Sequence, residues 1–458
     1  MSKEKITRTI NRREFIKNTA IVSGGMALLP GMLAGCSDDD DSIVYTGEFG
    51  FREGVASFDP TATSVILWTR YTSAANESGD ATIRWEVSES SSFSPVAKSG
   101  NVTATAASDY TVNVDATGLA SNKKYFYRFR SDRTNVESVV GETRTLPTMG
   151  QATSVKLAVV SCANYQAGLF NVYGAVAESA ADVVVHLGDY IYEYAAGGYG
   201  ATPAVAALNR GHLPDKEILT LDDYRTRYKQ YRSDKQLQKA HQLKPFICVW
   251  DDHEIANNTY KDGAENHQAS EGSFEQRKQF AIQVWHEFLP ARVTDKAKIY
   301  RSFDFGGLVN LMMLDTRLVG RDKQLSLNDY FVSPAAFTTA LQSSSRSLLG
   351  AEQKTWLTGN LGSSGAKWQV LGSQVLMGKM NIPTELLLLV AGLANPANTP
   401  AQLATLLSQY ATKATELAAI KVRILTNQAV TPAERARVEN VLPYNLDAWD
   451  GYPAEREA

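Results

Sequence analysis

The chain has 458 residues, room for two or three domains at roughly one per 150, and 44% of them are hydrophobic, so it can bury large cores and is not mainly disordered. Lys+Arg 46 against Asp+Glu 49 gives a formal charge of −3 with no basic block, which argues against a nucleic-acid partner held through its phosphates. Three cysteines are too few for a disulfide framework.

Residues 1–36 read as an address. A basic stretch ends in Asn11-Arg12-Arg13-Glu14-Phe15, a mostly apolar run follows from Ala20 to Leu33, and Leu33-Ala34-Gly35-Cys36 closes it. Twin arginines before Phe resemble a bacterial twin-arginine export signal, with the twin-arginine translocase as transient partner, and the closing box resembles a lipoprotein cleavage site. The run falls short of the ~20 residues a spanning helix needs. Cleavage would leave Cys36 as the lipidated N-terminus of a membrane-anchored bacterial lipoprotein, on the periplasmic or cell-surface side. It would remove six Lys/Arg and two Asp/Glu, leaving a formal charge of −7, four of it in Asp38 to Asp41 of an acidic tether over residues 37–50.

From Phe51 to Pro147 short alternating segments predict an antiparallel all-β sandwich: Ser64–Arg70, Thr82–Val87, Tyr110–Val114 and Tyr125–Arg130. Leu119 followed by Tyr125 and Tyr127 resembles the tyrosine corner of fibronectin type III-like domains. Trp68 and Trp85 read as core. Past the linker Thr148–Gly150, residues 151–458 form a second part. Apolar runs Val155–Val160, Asp182–Leu187, Pro245–Trp250 and Leu308–Leu314 predict buried strands, the first two joined by a helix, and so an α/β sheet covered on both faces.

Reactive residues gather at the carboxyl ends of those strands, where open α/β sheets place their sites. Cys162 follows the first, Asp189 and Tyr192 the second, and Asp251, Asp252, His253 and Glu254 the third. Taken singly, each is ordinary. Together, Gly188-Asp189 and a distant Asp252-His253 match the pattern by which a sheet presents bridging and terminal ligands to two metals. His186, inside a strand, reads as core.

Ser161-Cys162-Ala163-Asn164-Tyr165, His186-Leu187-Gly188-Asp189-Tyr190-Ile191-Tyr192-Glu193, Trp250-Asp251-Asp252-His253-Glu254 with Asn257-Asn258, Leu314-Asp315-Thr316-Arg317 and Gly372-Ser373-Gln374 resemble the PhoD family of alkaline phosphatases and phosphodiesterases. The resemblance implies a layered αββα metallophosphoesterase sandwich behind a fibronectin-like domain, with a centre of Fe3+ and Ca2+ that hydrolyses phosphate mono- and diesters. It implies that Cys162 and Tyr192 bind iron, that Asp189 bridges, and that Asp252 with Asn257 or Asn258 faces calcium. His253, as ligand or as neighbour of the metals, and Arg317, as phosphate clamp or structural ion pair, are the catalytic candidates.

Two departures stand out. Phe58 occupies a position where the family usually has Gly, which predicts a strained turn. No histidine follows His286, and the segment Asp447–Arg456 resembles the one that precedes a closing Gly-Asp-x-His strand, so the reading expects a chain truncated before that strand. A phospholipase D-like phosphodiesterase and an inactive surface lipoprotein stand as alternatives. Helices are predicted over Glu385–Gly392, Pro400–Thr426 and from Thr431, and the Gly- and Ala-rich stretch Ala195–Ile218 as an active-site loop or plain surface loop.

Overall fold

The computed structural model describes residues 49–75, 77–133, 136–203, 207–393 and 398–458. Arg12, Arg13, Cys36 and the acidic run lie outside the described residues. The end of the predicted tether is already part of the fold: Gly50 and Thr72 exchange two backbone hydrogen bonds of 2.7 Å.

The first seven strands are β1 (Val55–Phe58), β2 (Ser64–Arg70), β3 (Ala81–Ser88), β4 (Lys98–Ala104), β5 (Thr111–Thr117), β6 (Lys124–Ser131) and β7 (Gly141–Arg144). One sheet has the order β4-β3-β6-β7. Between it and the β5-β2-β1 strands lies an apolar core built from the inward face of each, including Val65, Leu67, Ile83, Val114, Tyr127 and Phe129. Tyr125 is buried, and its hydroxyl accepts the backbone N–H of Ala120 at 2.9 Å, which ties the ring to the loop after Leu119.

The sequence predicts two parts in series, and the structure fuses them. Strands β8 (Leu157–Val160), β9 (Val183–His186) and β10 (Pro245–Cys248) pair in parallel, and β10 also pairs in parallel with β1 at Ser57↔Pro245 and Phe58↔Phe246. The result is a six-stranded sheet, β5-β2-β1-β10-β9-β8. A seam between domains is lost because β1 offers a free edge at the place where β10 needs a neighbour. Trp68, Phe58 and Ile66 belong to the core of the α/β part, while Val65 and Leu67 of the same strand face the sandwich. Phe58 itself is extended and buried, and the positive φ of 41° falls on Asp59, so the strained turn predicted at Phe58 lies one residue later.

Strands β11 (Arg301–Asp304), β12 (Val309–Met313) and β13 (Trp368–Gly372) form a second sheet. Leu311 and Met313 share a core with Val184 and Phe246 of the first sheet, whereas Met312 packs with Leu348, Leu357 and Trp449 on the opposite face. Helices Asn171–Glu178 and Lys235–Leu243 cover the first sheet and helix Gly350–Ser363 the second, which makes the layers helix, sheet, sheet, helix. Helices Thr384–Leu393, Pro400–Leu425 and Pro432–Glu439 build a separate small core around Leu387, Leu417 and Ile420. Thr399 with Gln402 and Thr431 with Glu434 close capping boxes at the second and third of these. Among the described residues no helix is long and apolar enough to cross a membrane.

Candidate metal centre

Parallel pairing aligns the carboxyl ends of β8, β9 and β10, so the loops that leave them converge. Two of the expected ligands sit in the left-handed region, Cys162 at φ 60° and Asp189 at φ 54°. Such backbone is costly for non-glycine residues and persists where surrounding contacts enforce it. Gly188, at φ 97°, permits the crossing: a Cβ there would strike the backbone nitrogen of Asp251. Glu254 ties the two loops together, since its buried carboxylate accepts the N–H groups of Asp189 (3.0 Å), Tyr190 (2.5 Å) and Asp251 (2.8 Å).

Asp189, Asp252 and His253 each bring a ligand atom within 4.8 Å of the others, and all three are buried. Asp189 stands at the middle: one carboxylate oxygen accepts the Tyr192 hydroxyl at 3.1 Å and the other the backbone N–H of His253 at 3.4 Å. Burial, then repulsion from Asp252 and Asp251, pushes the Asp189 carboxyl well above its ordinary range. Burial and Asp189 push the Cys162 thiol up to about 11 and the Tyr192 phenol far up. Groups held protonated in this way release their protons to a multivalent cation and become its anionic ligands, so the donor set fits metal ions.

His253 is oriented from behind. Its Nδ1 meets Glu193 Oε2 at 2.7 Å, leaving Nε2 as the other ring nitrogen, and Glu193 Oε1 accepts from the backbone of Asn257 (2.7 Å) and the amide of Asn266 (2.8 Å). Burial opposes charging His253, but Asp252 and Glu193 outweigh it and raise its pKa to about 10. Asn258 donates its backbone N–H to Asp252 at 2.6 Å and turns its side-chain amide to Glu265.

Arg317 differs from the clamp the sequence allows. It is 1% exposed, gives Nε to Asp251 at 2.5 Å and closes both terminal nitrogens on Asp447 at 2.8 Å, with Asp252 at 3.4 Å. A buried guanidinium needs paired acids, and Asp447 takes the fork that a phosphate would occupy. His186 is core, as expected, with Nε2 at 2.8 Å from the Tyr173 hydroxyl. His267 lies apart, beside Arg277 and Glu271. Sequence reasoning gave no role to Glu193 or Asp447. Glu193 carries a signal, four residues beyond Asp189 on the same loop; Asp447, 130 residues from its partner, carries none.

The N-terminal domain model of PhoD-like phosphatases matches residues 38–147, and the PhoD-like phosphatase model matches residues 157–458. The chain is 33% identical to alkaline phosphatase D of Bacillus subtilis (strain 168) over 462 aligned positions, covering 98% of this chain and 68% of that protein. The solved structure of PhoD superposes with a TM-score of 0.68 at 31% identity, over 89% of this chain and 68% of that one. A purple acid phosphatase from yellow lupin aligns at 14% identity and a TM-score of 0.44, over 72% and 52%. With its two family models matched in order and its strand ends converging on one acidic cluster, the chain belongs to the PhoD-like phosphatase family of phosphoric ester hydrolases.

Proposed function

We propose that the chain hydrolyses phosphate mono- and diesters, as an alkaline phosphatase D does, at a centre of iron and calcium. The carrying observation is the approach of Asp189, Asp252 and His253 within 4.8 Å, with the Tyr192 hydroxyl on Asp189. Thiolate and phenolate are anionic donors suited to Fe3+, so Cys162 and Tyr192 would hold it, and Asp252 with Asn257 would offer Ca2+ the hard oxygens it prefers. Asn258 would serve equally, because its bond to Glu265 uses Nδ2 and not the amide oxygen that a cation would take. Asp189, standing in the middle of the cluster, would serve both ions. When bound, the cations supply Lewis acidity to the phosphoryl group and an activated water.

The chain's own residues do the rest. Glu193 takes Nδ1–H of His253 and, with Asp252, favours the protonated ring, in which Nε2–H is the group left to donate to a phosphoryl oxygen or to the departing alkoxide. Arg317 holds Asp251, Asp252 and Asp447 in one arrangement and so acts on the ligands, not on substrate.

Tyrosinate on Fe3+ absorbs visible light, so the metal-loaded protein should be coloured and Tyr192→Phe should bleach it. Asp189→Asn should lose more p-nitrophenyl phosphate hydrolysis than a change at either single-metal ligand, by at least about a hundredfold. A colourless, iron-free and active enzyme would overturn the iron assignment.

The leader supports export by the twin-arginine route and lipid anchoring at Cys36, and the corner at Tyr125 supports a fibronectin type III-like reading of the N-terminal sandwich. Cys36→Ser should release the protein from the membrane fraction, and Arg12 and Arg13 both changed to Lys should block export. Unaltered fractionation of either variant would sink the corresponding half of this reading.

A further inference from the structure

Above the cluster lies a tier of rings. Tyr192 stacks on His253 with centres 4.2 Å apart, and Tyr194 sits 5.4 Å from His253. Tyr199 extends the tier outward: its plane lies 10° from that of His253 at 6.5 Å and 26° from that of Tyr192 at 6.0 Å, yet the residue is 63% exposed.

The position of Tyr199 is built. Its carbonyl accepts from Asn164 Nδ2 and from Gln166 Nε2, both at 3.0 Å. Gln166, 3% exposed, also donates to the carbonyl of Ala195 at 3.3 Å and accepts from the backbone N–H of Gly197 at 3.1 Å. Directly after the ring, Gly200 turns the chain at φ +88° against the Asn164 amide, where a Cβ would collide. Asn164 and Gln166 belong to the loop that carries Cys162, and Tyr192 precedes Tyr199 on the loop that carries Asp189. Both ligand-bearing loops therefore fix the backbone that carries this ring, the rings of Tyr192, Tyr194 and His253 flank it, and it still stays largely in solvent. A ring pinned for packing would be buried by its pins, and this one is not.

We infer that Tyr199 is a specificity-determining residue, a stacking platform for a planar aromatic group in the organic part of the ester, aryl or nucleobase. The inference rests on the phosphoesterase reading above and names its substrate class. Stacking on a preorganised ring tolerates any π face and gives nothing to a polyol phosphate, so the preference separates these two kinds of ester.

The test separates binding from turnover. Titration calorimetry on the full chain supplied with iron and calcium compares phenylphosphonate with methylphosphonate, neither of which carries an ester bond. Phenylphosphonate should bind roughly tenfold tighter. Tyr199→Leu should erase that preference while leaving methylphosphonate affinity within about twofold, and Tyr199→Phe should keep it. In parallel, Tyr199→Leu should raise KM roughly tenfold for p-nitrophenyl phosphate and leave KM for glycerol phosphate unmoved. An enzyme that turns over both esters but binds the two phosphonates equally, or loses both equally in Tyr199→Leu, overturns the inference and leaves the phosphoesterase reading standing. A preference for phenylphosphonate that vanishes in Tyr199→Leu while neither ester is hydrolysed overturns the phosphoesterase reading and with it the role in ester specificity, and leaves Tyr199 as an aromatic-binding platform only.

Discussion

Trp68 Nε1 donates to the carbonyl of Glu287 at 2.6 Å, across 219 residues of sequence, from the N-terminal sheet to the end of helix Phe274–Phe288. The indole is fully buried, with the Arg232 guanidinium 4.4 Å from the ring centre and Phe288 5.8 Å away, so β2, a strand of the N-terminal sandwich, supplies core to the catalytic half.

Two consequences follow for stability. Trp68→Ala should cost about 3–5 kcal/mol, the range for a buried aromatic reduced to a methyl, read as a shift of the urea midpoint. The N-terminal segment expressed alone would expose Trp68, Phe58 and the free edge of β1. Although its sandwich core is local, it should be poorly soluble or lack near-ultraviolet circular dichroism, and a soluble fragment with native-like tertiary signals would show the fusion to be dispensable.

Glu193 is fully buried and gathers His253, Asn257 and Asn266 on one carboxylate. Glu193→Ala should lower kcat for p-nitrophenyl phosphate by about ten- to a hundredfold, the usual cost of losing the partner that orients a functional histidine. Glu193→Gln keeps one acceptor and should recover part of it. Unchanged kcat in the alanine variant would remove Glu193 from the catalytic account.

Glu254→Ala would leave three buried backbone N–H groups without their acceptor, so it should destabilise by about 3 kcal/mol or more and reduce hydrolysis as well, because the same bonds hold Asp189 in place. Glu254→Gln retains one acceptor oxygen and should fall between. Urea unfolding and steady-state assays on both variants check the order.

Acid should weaken the fold through buried histidines outside the ligand set. Burial lowers the pKa of His186 and of His212 to about 3 and that of His286 to about 4, against an ordinary 6.5. Below 6.5 the unfolded chain takes up protons that the folded one refuses. Each such histidine therefore removes about 1.4 kcal/mol of stability per pH unit as pH falls from about 6.5 toward its folded value. Buried carboxylates with raised pKa values act in the opposite sense, so the difference between wild type and a single variant isolates the effect. His286 Nε2 lies 2.9 Å from the carbonyl of Lys296, a bond the amide of His286→Gln can replace. The stability gap between wild type and that variant should shift in the variant's favour by about 2 kcal/mol between pH 7 and 5. A gap that stays constant over this range would mean that His286 charges in the folded state.

The strands β8, β9, β10 and β12 were legible in the sequence as continuous apolar runs, and β9 and β10 are buried throughout as such runs predict, whereas β8, expected buried, is the edge strand and leaves Val159 59% exposed. The positions of Cys162, Asp189, Tyr192, Asp252 and His253 were legible too, since each lies within a few residues of a strand end and parallel pairing leaves those ends on one side. The capping box at Thr431 was legible because it is local, its hydrogen bonds spanning three residues, and the structure adds a second one at Thr399. Contacts between distant segments were not legible. The pairing of β1 with β10, the burial of Trp68 against Glu287 and the closing of Arg317 on Asp447 depend on which edges and charges meet once the chain is compact. Strand periodicity and local spacing carry no term for such meetings. The sequence alone determined the chemistry offered at each strand end, and the tertiary structure alone decided which of those groups turn inward to one another and which stay free for substrate.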